Sequence, residues 1–213
     1  MELSDSYDLY LWLEDQDLLA EKLPLWWPEY GTFEVLVGAI LTQNTKWEKV
    51  ERSLQNLRSN HLLSLVALNE CESDLLMRLI QPSGLYKSKA NYLQKLVYSI
   101  VDAYGDFETF VEEVDREWLL AQKGVGPETA DSILCYACRR PEMVVDAYTA
   151  RLLVSFGLEY EAYDDIKAWC SEGLQRVFDE SQLPEKYALF HGMIVEYVKA
   201  NSKGKTVRID NYI

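Results

Sequence analysis

Apolar positions recur at helical spacing in successive blocks along the chain. Phe33, Leu36, Val37, Ile40 and Leu41, continuing through Trp47, Val50, Leu54 and Leu57, form one long stripe with a polar face between, the three-and-four spacing that lines one side of a helix. Ala90, Leu93, Leu96, Val97, Ile100 and Val101 form a second. Shorter blocks run over 130–137, 148–156, 166–178 and 187–198. Alternation of period two is sustained nowhere, so the predicted fold class is all-α. Breaks fall between the blocks at "LPLWWPEYG", "QPSGLYKSKA", "KGVGPE" and "RRPEM", where Gly and Pro interrupt helices. The polar segment "NSKGKTVRIDNYI" is expected to be a loosely held end.

With 213 residues, 48% of them hydrophobic, the chain can bury a substantial core as one large domain or two small ones. Its longest apolar runs fall short of the roughly 20 residues that a bilayer span needs, and no membrane role is expected. Cys71, Cys135, Cys138 and Cys170 are too scattered for a disulfide framework, and no signal-peptide pattern follows Met1; a cytoplasmic setting is expected. The formal charge of −14 argues against broad electrostatic adhesion to nucleic acid, so any phosphate contact must be local.

The stretch "KGVGPETADSILCYA", 123–137, supplies such a place. Gly124 and Gly126 would permit positive φ and close backbone approach, and Pro127 suits a first helical turn. The helix start would aim unpaired N–H groups at an anion such as a DNA phosphate. An isolated G-x-G more commonly just packs two helices, so its neighbours decide. Asp146, after the apolar Met143, Val144 and Val145, reads as an N-cap ahead of "AYTARLLVSF". Cys135 and Cys138 fall within the helix after the turn, where buried structural roles are expected. His61 and His191 have no partners at metal-ligand spacing and read as structural.

Taken together, "LLAQKGVGPETADSILCYA" and "MVVDAYTARLL" resemble the helix-hairpin-helix DNA glycosylases of the endonuclease III superfamily. "LVGAILTQNTKWEKV" is similar to that family's long first-domain helix with its glutamine, and "LIQPSGLYKSKANYLQKL" to its G-x-Y/F-x-x-K-A segment. The matches are collinear from about residue 33 to 157. Within the superfamily, Trp26-Trp27-Pro28, Trp47 after "LTQNTK", and an acid at 128 make the chain look most like the 3-methyladenine glycosylases.

The resemblance implies two helical domains of endonuclease III type. One is a helical barrel at 24–140 with its hairpin at about 117–138; the other is formed by 1–23 plus 141–213, with the active site in the cleft between. The implied activity is monofunctional excision of alkylated purines from double-stranded DNA in base excision repair, by a monomer. Asp146 would stabilise positive charge developing on the sugar and orient or deprotonate the attacking water. Glu128 stands where bifunctional members carry a catalytic lysine. A carboxylate there cannot form a Schiff base, so no strand cleavage is expected; its plain alternative is an acid favoured by the helix dipole.

Trp26, Trp27, Pro28 and Trp47 would form the pocket for a flipped cationic base, or else ordinary core. Gln43 would fill the vacated space, or make a helix-buried polar contact. Leu85 would enter the opposite strand, or anchor a loop. Lys123, Gly124, Val125, Gly126 and Thr129 would meet the DNA backbone, with Lys87, Lys89 and Arg151 as further phosphate contacts. A sodium or potassium ion would sit on the carbonyls of Leu120, Gln122 and Val125. No iron-sulfur cluster is expected, because the family's cluster takes four clustered cysteines and none follows Cys170. A uracil or thymine-mismatch glycosylase, and a hairpin module binding DNA or protein without catalysis, are the competing readings.

Overall fold

The computed structural model describes residues 3–19, 25–204 and 206–209. The chain forms two compact units: Met1–Pro28 together with Arg139–Ile213, and Glu29–Cys138. It begins in the first with α1 (Ser6–Glu14), whose N-cap Asp5 accepts from the N–H groups of Tyr7 and Asp8, offsetting the unpaired donors of a helix start.

The Glu29–Cys138 unit is built around α2 (Phe33–Leu41), in which only Glu34 escapes full burial. A helix apolar on nearly every side belongs at the centre of a core. Next come α3 (Trp47–Ser59), α4 (Leu65–Asn69), α5 (Ser73–Leu79) and the long α6 (Tyr86–Tyr104). The last packs Leu93, Leu96, Val97 and Ile100 inward and meets α2, α4, α5 and α7 (Phe107–Glu113). The hairpin helices are α8 (Arg116–Leu120) and α9 (Pro127–Ser132), and α9 runs on as one π turn over Ile133–Ala137. Ser64, Asp106 and Asp115 cap α4, α7 and α8 through their side chains.

The long stripe expected over 33–57 is two helices, not one. Asn44 adopts a left-handed φ of 52°, and the Thr42 hydroxyl turns back onto the Gly38 carbonyl, so the ladder ends at Leu41 and restarts at Trp47. The apolar period survives because both helices use the same core.

Returning to the first unit, α10 (Ala147–Ser155), α11 (Tyr163–Gln175) and α12 (Leu183–Asn201) pack with α1 around Leu9, Leu13, Leu152, Leu153, Leu174, Phe190 and Ile194. A small antiparallel hairpin follows, β1 (Ser202–Lys203) with β2 (Thr206–Val207). It corrects the expectation of a loose end: Val207 is buried in this core, and the Tyr197 hydroxyl donates to the Arg208 carbonyl at 3.0 Å. The break between units falls after Pro28 rather than at 24, because Trp26 is anchored on α12.

Candidate active site

In the unit of α1 and α10–α12, the buried run Met143–Val145 delivers Asp146 to the N-cap of α10. Its Oδ1 accepts from the N–H groups of Tyr148 and Thr149, both at 2.8 Å. The Thr149 hydroxyl answers by accepting from the Asp146 N–H at 3.2 Å, completing a capping box. With Oδ1 committed to the helix, Oδ2 faces His191 of α12, 3.6 Å from Nε2, where the two side chains are 13% and 5% exposed. Burial acts to raise the carboxyl's pKa, but His191 and Thr149 outweigh it and hold the group below the ordinary aspartate range. The acid is therefore ionised at neutral pH. Burial, and then this negative charge, push the Cys170 thiol up.

The same helix carries the mount for Trp26. The indole Nε1 donates to Glu196 at 3.0 Å, and Lys199 donates to the same oxygen at 3.2 Å with its ammonium 5.8 Å over the ring. The His191 ring stands edge-on to Trp26, centroids 5.2 Å apart. Gly192 lets the indole approach the helix, since a Cβ there would stand 2.6 Å from Trp26 Cγ. Trp26 itself holds φ 66°, strain that persists only where surroundings impose it. Trp27 is buried edge-on to Trp26, and Pro28 is half-buried.

The structure thus gathers Asp146, Trp26 and Trp27 around one helix face. His191, read from the sequence as structural, stands between the acid and the indole. Glu196 was not anticipated at all. The one sequence signal was His191-Gly192 in mid-helix, where glycine costs about 1 kcal/mol relative to alanine and so flags a close approach.

In the other unit, Gly124 turns the hairpin with φ 88° above the Tyr92 ring, and a Cβ there would lie 2.4 Å from the ring carbons. Gly126 has φ −97° and open space around it, so positive φ occurs at only one of the two glycines. Gln43, in the turn between α2 and α3, donates to the Gly124 carbonyl at 2.8 Å and to the Thr129 hydroxyl at 3.1 Å. Behind the turn, Arg116 clasps the fully buried Asp131 at 2.8 Å. Val125 is buried and its N–H donates to the Gln122 carbonyl. Lys123, Gly126 and Glu128 are exposed.

Trp47 is the half-buried first residue of α3, and Leu85 is 68% exposed with φ 44° at the head of α6. Lys87 is exposed, whereas Arg151 lies over the Tyr148 ring. Lys89 is no phosphate contact: it is 2% exposed, with its ammonium bonded to Leu41, Thr45 and Ser83.

An iron-sulfur cluster takes four convergent thiolates. Cys71, Cys135, Cys138 and Cys170 are each buried in helical packing, and among the described residues no group of three or more His, Cys, Asp or Glu side chains is placed to hold a metal ion. That donor set does not fit such a cluster.

Residues 37–175 match the family model of the HhH-GPD superfamily base excision DNA repair proteins. A Methanocaldococcus jannaschii protein assigned as a DNA repair glycosylase is 40% identical over 189 residues, 85% of this chain and 83% of the relative. The structure of the H. pylori 3-methyladenine DNA glycosylase MagIII, bound to 1,N6-ethenoadenine, superposes with a TM-score of 0.89 at 39% identity, covering 93% of this chain and 99% of that one. A non-covalent endonuclease III–DNA complex shares the fold, with a TM-score of 0.73 at 18% identity over 97% and 91% of the two chains. The chain belongs to the HhH-GPD superfamily of base excision DNA repair proteins.

Proposed function

We propose that the protein is a monofunctional DNA glycosylase that excises purines alkylated at N3 or N7 from double-stranded DNA. The observation that carries this reading is the Asp146 carboxylate, kept ionised beside His191, with one oxygen spent on the cap of α10. A fixed anion suits the oxocarbenium-like state that forms as an N-glycosidic bond breaks. Water adds at the sugar carbon, its proton passes to Asp146 or to solvent, and the base departs with the bonding electron pair. A base alkylated at these positions carries positive charge and leaves as a neutral molecule, so no general acid is required.

Trp26, its indole N–H held by Glu196, offers a face to such a cation, and the similarity to MagIII supports the same substrate class. Glu128 stands where a nucleophilic lysine would be needed for strand cleavage, and a carboxylate forms no imine. The product is an abasic site in an intact strand. Gly124, Gly126 and the start of α9 grip the backbone, with Gln43 and Leu85 entering the duplex around the extruded nucleotide. The hairpin carbonyls of Leu120, Gln122 and Val125 are the proposed seat of a monovalent cation, since hard cations take oxygen donors and a carbonyl has two lone pairs. When bound it would add positive charge for a phosphate.

The test is direct. Duplexes bearing 3-methyladenine, 7-methylguanine, hypoxanthine or uracil are incubated with the protein, and free base and strand nicks are measured separately. Release of the alkylated bases without nicking is the expected result. Nicking before alkali treatment overturns the monofunctional reading, and preference for uracil overturns the substrate class.

A further inference from the structure

Lys89 lies near the start of α6, 2% exposed, yet it spends its ammonium on three oxygens. These are the Leu41 carbonyl at 2.7 Å, the Thr45 hydroxyl at 2.7 Å and the Ser83 carbonyl at 2.8 Å. An ammonium has three N–H donors, and all are used. Leu41 ends α2, so its carbonyl belongs to the helix terminus that favours a cation. Thr45 closes the turn that carries Gln43, and its hydroxyl also lies 2.7 Å from the Ser83 carbonyl. Ser83 immediately precedes Gly84 and Leu85, and its own hydroxyl is pinned to the Ile80 carbonyl at 2.7 Å.

Two turns from distant parts of the chain therefore share one buried cation. Burying an ammonium is expensive unless every donor is satisfied, and an apolar side chain would fill the space more cheaply. What the ammonium supplies is direction: three bonds that fix where each turn stands. On one side Gln43 is oriented against the hairpin, and on the other Leu85 projects into water in a left-handed conformation. Gln43 is held by its two bonds to the hairpin, and Leu85 stands on a turn pinned at Ser83.

We infer that Lys89 is a positioning residue for duplex opening: it sets the spacing between the Gln43 turn and the Leu85 turn, so that the two side chains enter the base stack as one rigid pair. The inference rests on the glycosylase reading for the roles of Gln43 and Leu85. Burial lowers the Lys89 pKa to about 8, because loss of water disfavours the charged form.

Two readouts separate opening from chemistry. Fluorescence of 2-aminopurine opposite an abasic-site analogue reports unstacking, and methylated duplex reports release of free base. Lys89→Met is expected to keep helical circular dichroism and duplex affinity within about threefold, while slowing unstacking about tenfold, the size of one or two lost buried hydrogen bonds. In a Leu85→Ala background the same change should add less than about twofold, because residues acting through one another are not additive. Wild-type unstacking by Lys89→Met, or effects that multiply with Leu85→Ala, would overturn the inference. Should Lys89→Met fail to fold, Thr45→Val removes one acceptor and is expected to slow unstacking about threefold; an unchanged rate overturns the inference equally. Wild-type protein that unstacks the probe but releases no base defeats the glycosylase reading, while the Lys89→Met comparison, read by unstacking alone, still decides this one.

Discussion

His191 and Asp146 face each other across 3.6 Å, imidazole Nε2 to carboxylate Oδ2, while the other carboxylate oxygen holds the first turn of α10. One side chain thus has two separable duties, and substitution can separate them.

Asparagine caps a helix as well as aspartate does. Asp146→Asn should therefore keep its fold while losing base release by about a thousandfold, the scale seen when a charge aimed at a transition state is removed. Asp146→Ala should lose activity and, in addition, about 1 kcal/mol of stability. Urea denaturation together with single-turnover release of free base measures both. Full activity in Asp146→Asn would remove this residue from the chemistry.

The lowered pKa of Asp146 fixes the sign of a pH effect. A carboxyl whose folded pKa lies below its unfolded value stabilises the fold above the unfolded pKa, about 3.9, and loses that contribution as pH falls through the folded value. Since His191 is one source of the depression, His191→Gln should move the loss to higher pH. The stability difference between the wild type and Asp146→Asn, followed from about pH 6 down to about pH 2.5, tests the sign; a difference that grows on acidification contradicts it.

Gly192→Ala would place a methyl 2.6 Å from Trp26 Cγ. Alanine's better helix propensity, about 1 kcal/mol, is outweighed by an overpacking cost of about 1–3 kcal/mol. The indole should be displaced from Glu196, shifting tryptophan fluorescence to the red and weakening selection for cationic bases over neutral ones. Unchanged emission and selectivity would mean that the indole's seat does not matter.

Gly124→Ala meets both a φ of 88° and the Tyr92 ring at 2.4 Å. The hairpin must distort, and Gln43 loses its carbonyl acceptor at 2.8 Å. Duplex affinity should fall about tenfold, equivalent to about 1.4 kcal/mol. Gly126→Ala, with open space around it, should leave the fold intact, so any loss of affinity there reports a close approach by DNA. Fluorescence anisotropy with a labelled duplex distinguishes the two.

The longer helices were legible because their information is local, apolar residues at helical spacing, whereas α4, α5, α7 and α8, with five to seven residues each, are too short for that period to register. Asp146 could be read as an N-cap because that signal is local as well. Periodicity reports which face is buried but not what arrives from elsewhere in the chain. His191 and Asp146 are far apart in sequence, as are Lys89 and Leu41, and nothing near either pair announces it. Lys89 misled for a further reason, since it sits beside Lys87 in a polar stretch and its burial follows only from the turn at 83–85. The interruption after Leu41 was hidden by an apolar period that continues across it. The strands at 202–207 are too short for alternation to register.

The double use of Asp146 bears on how such a protein can drift. If Asp146 acts as proposed above, a mutation that discards the acid for an ordinary apolar or basic residue injures architecture and turnover in the same stroke, so it is culled whether selection acts on abundance or on repair. The permissive exit is asparagine, one nucleotide change away in the genetic code. A lineage that abandons repair while keeping its scaffold would be expected to leave through that door.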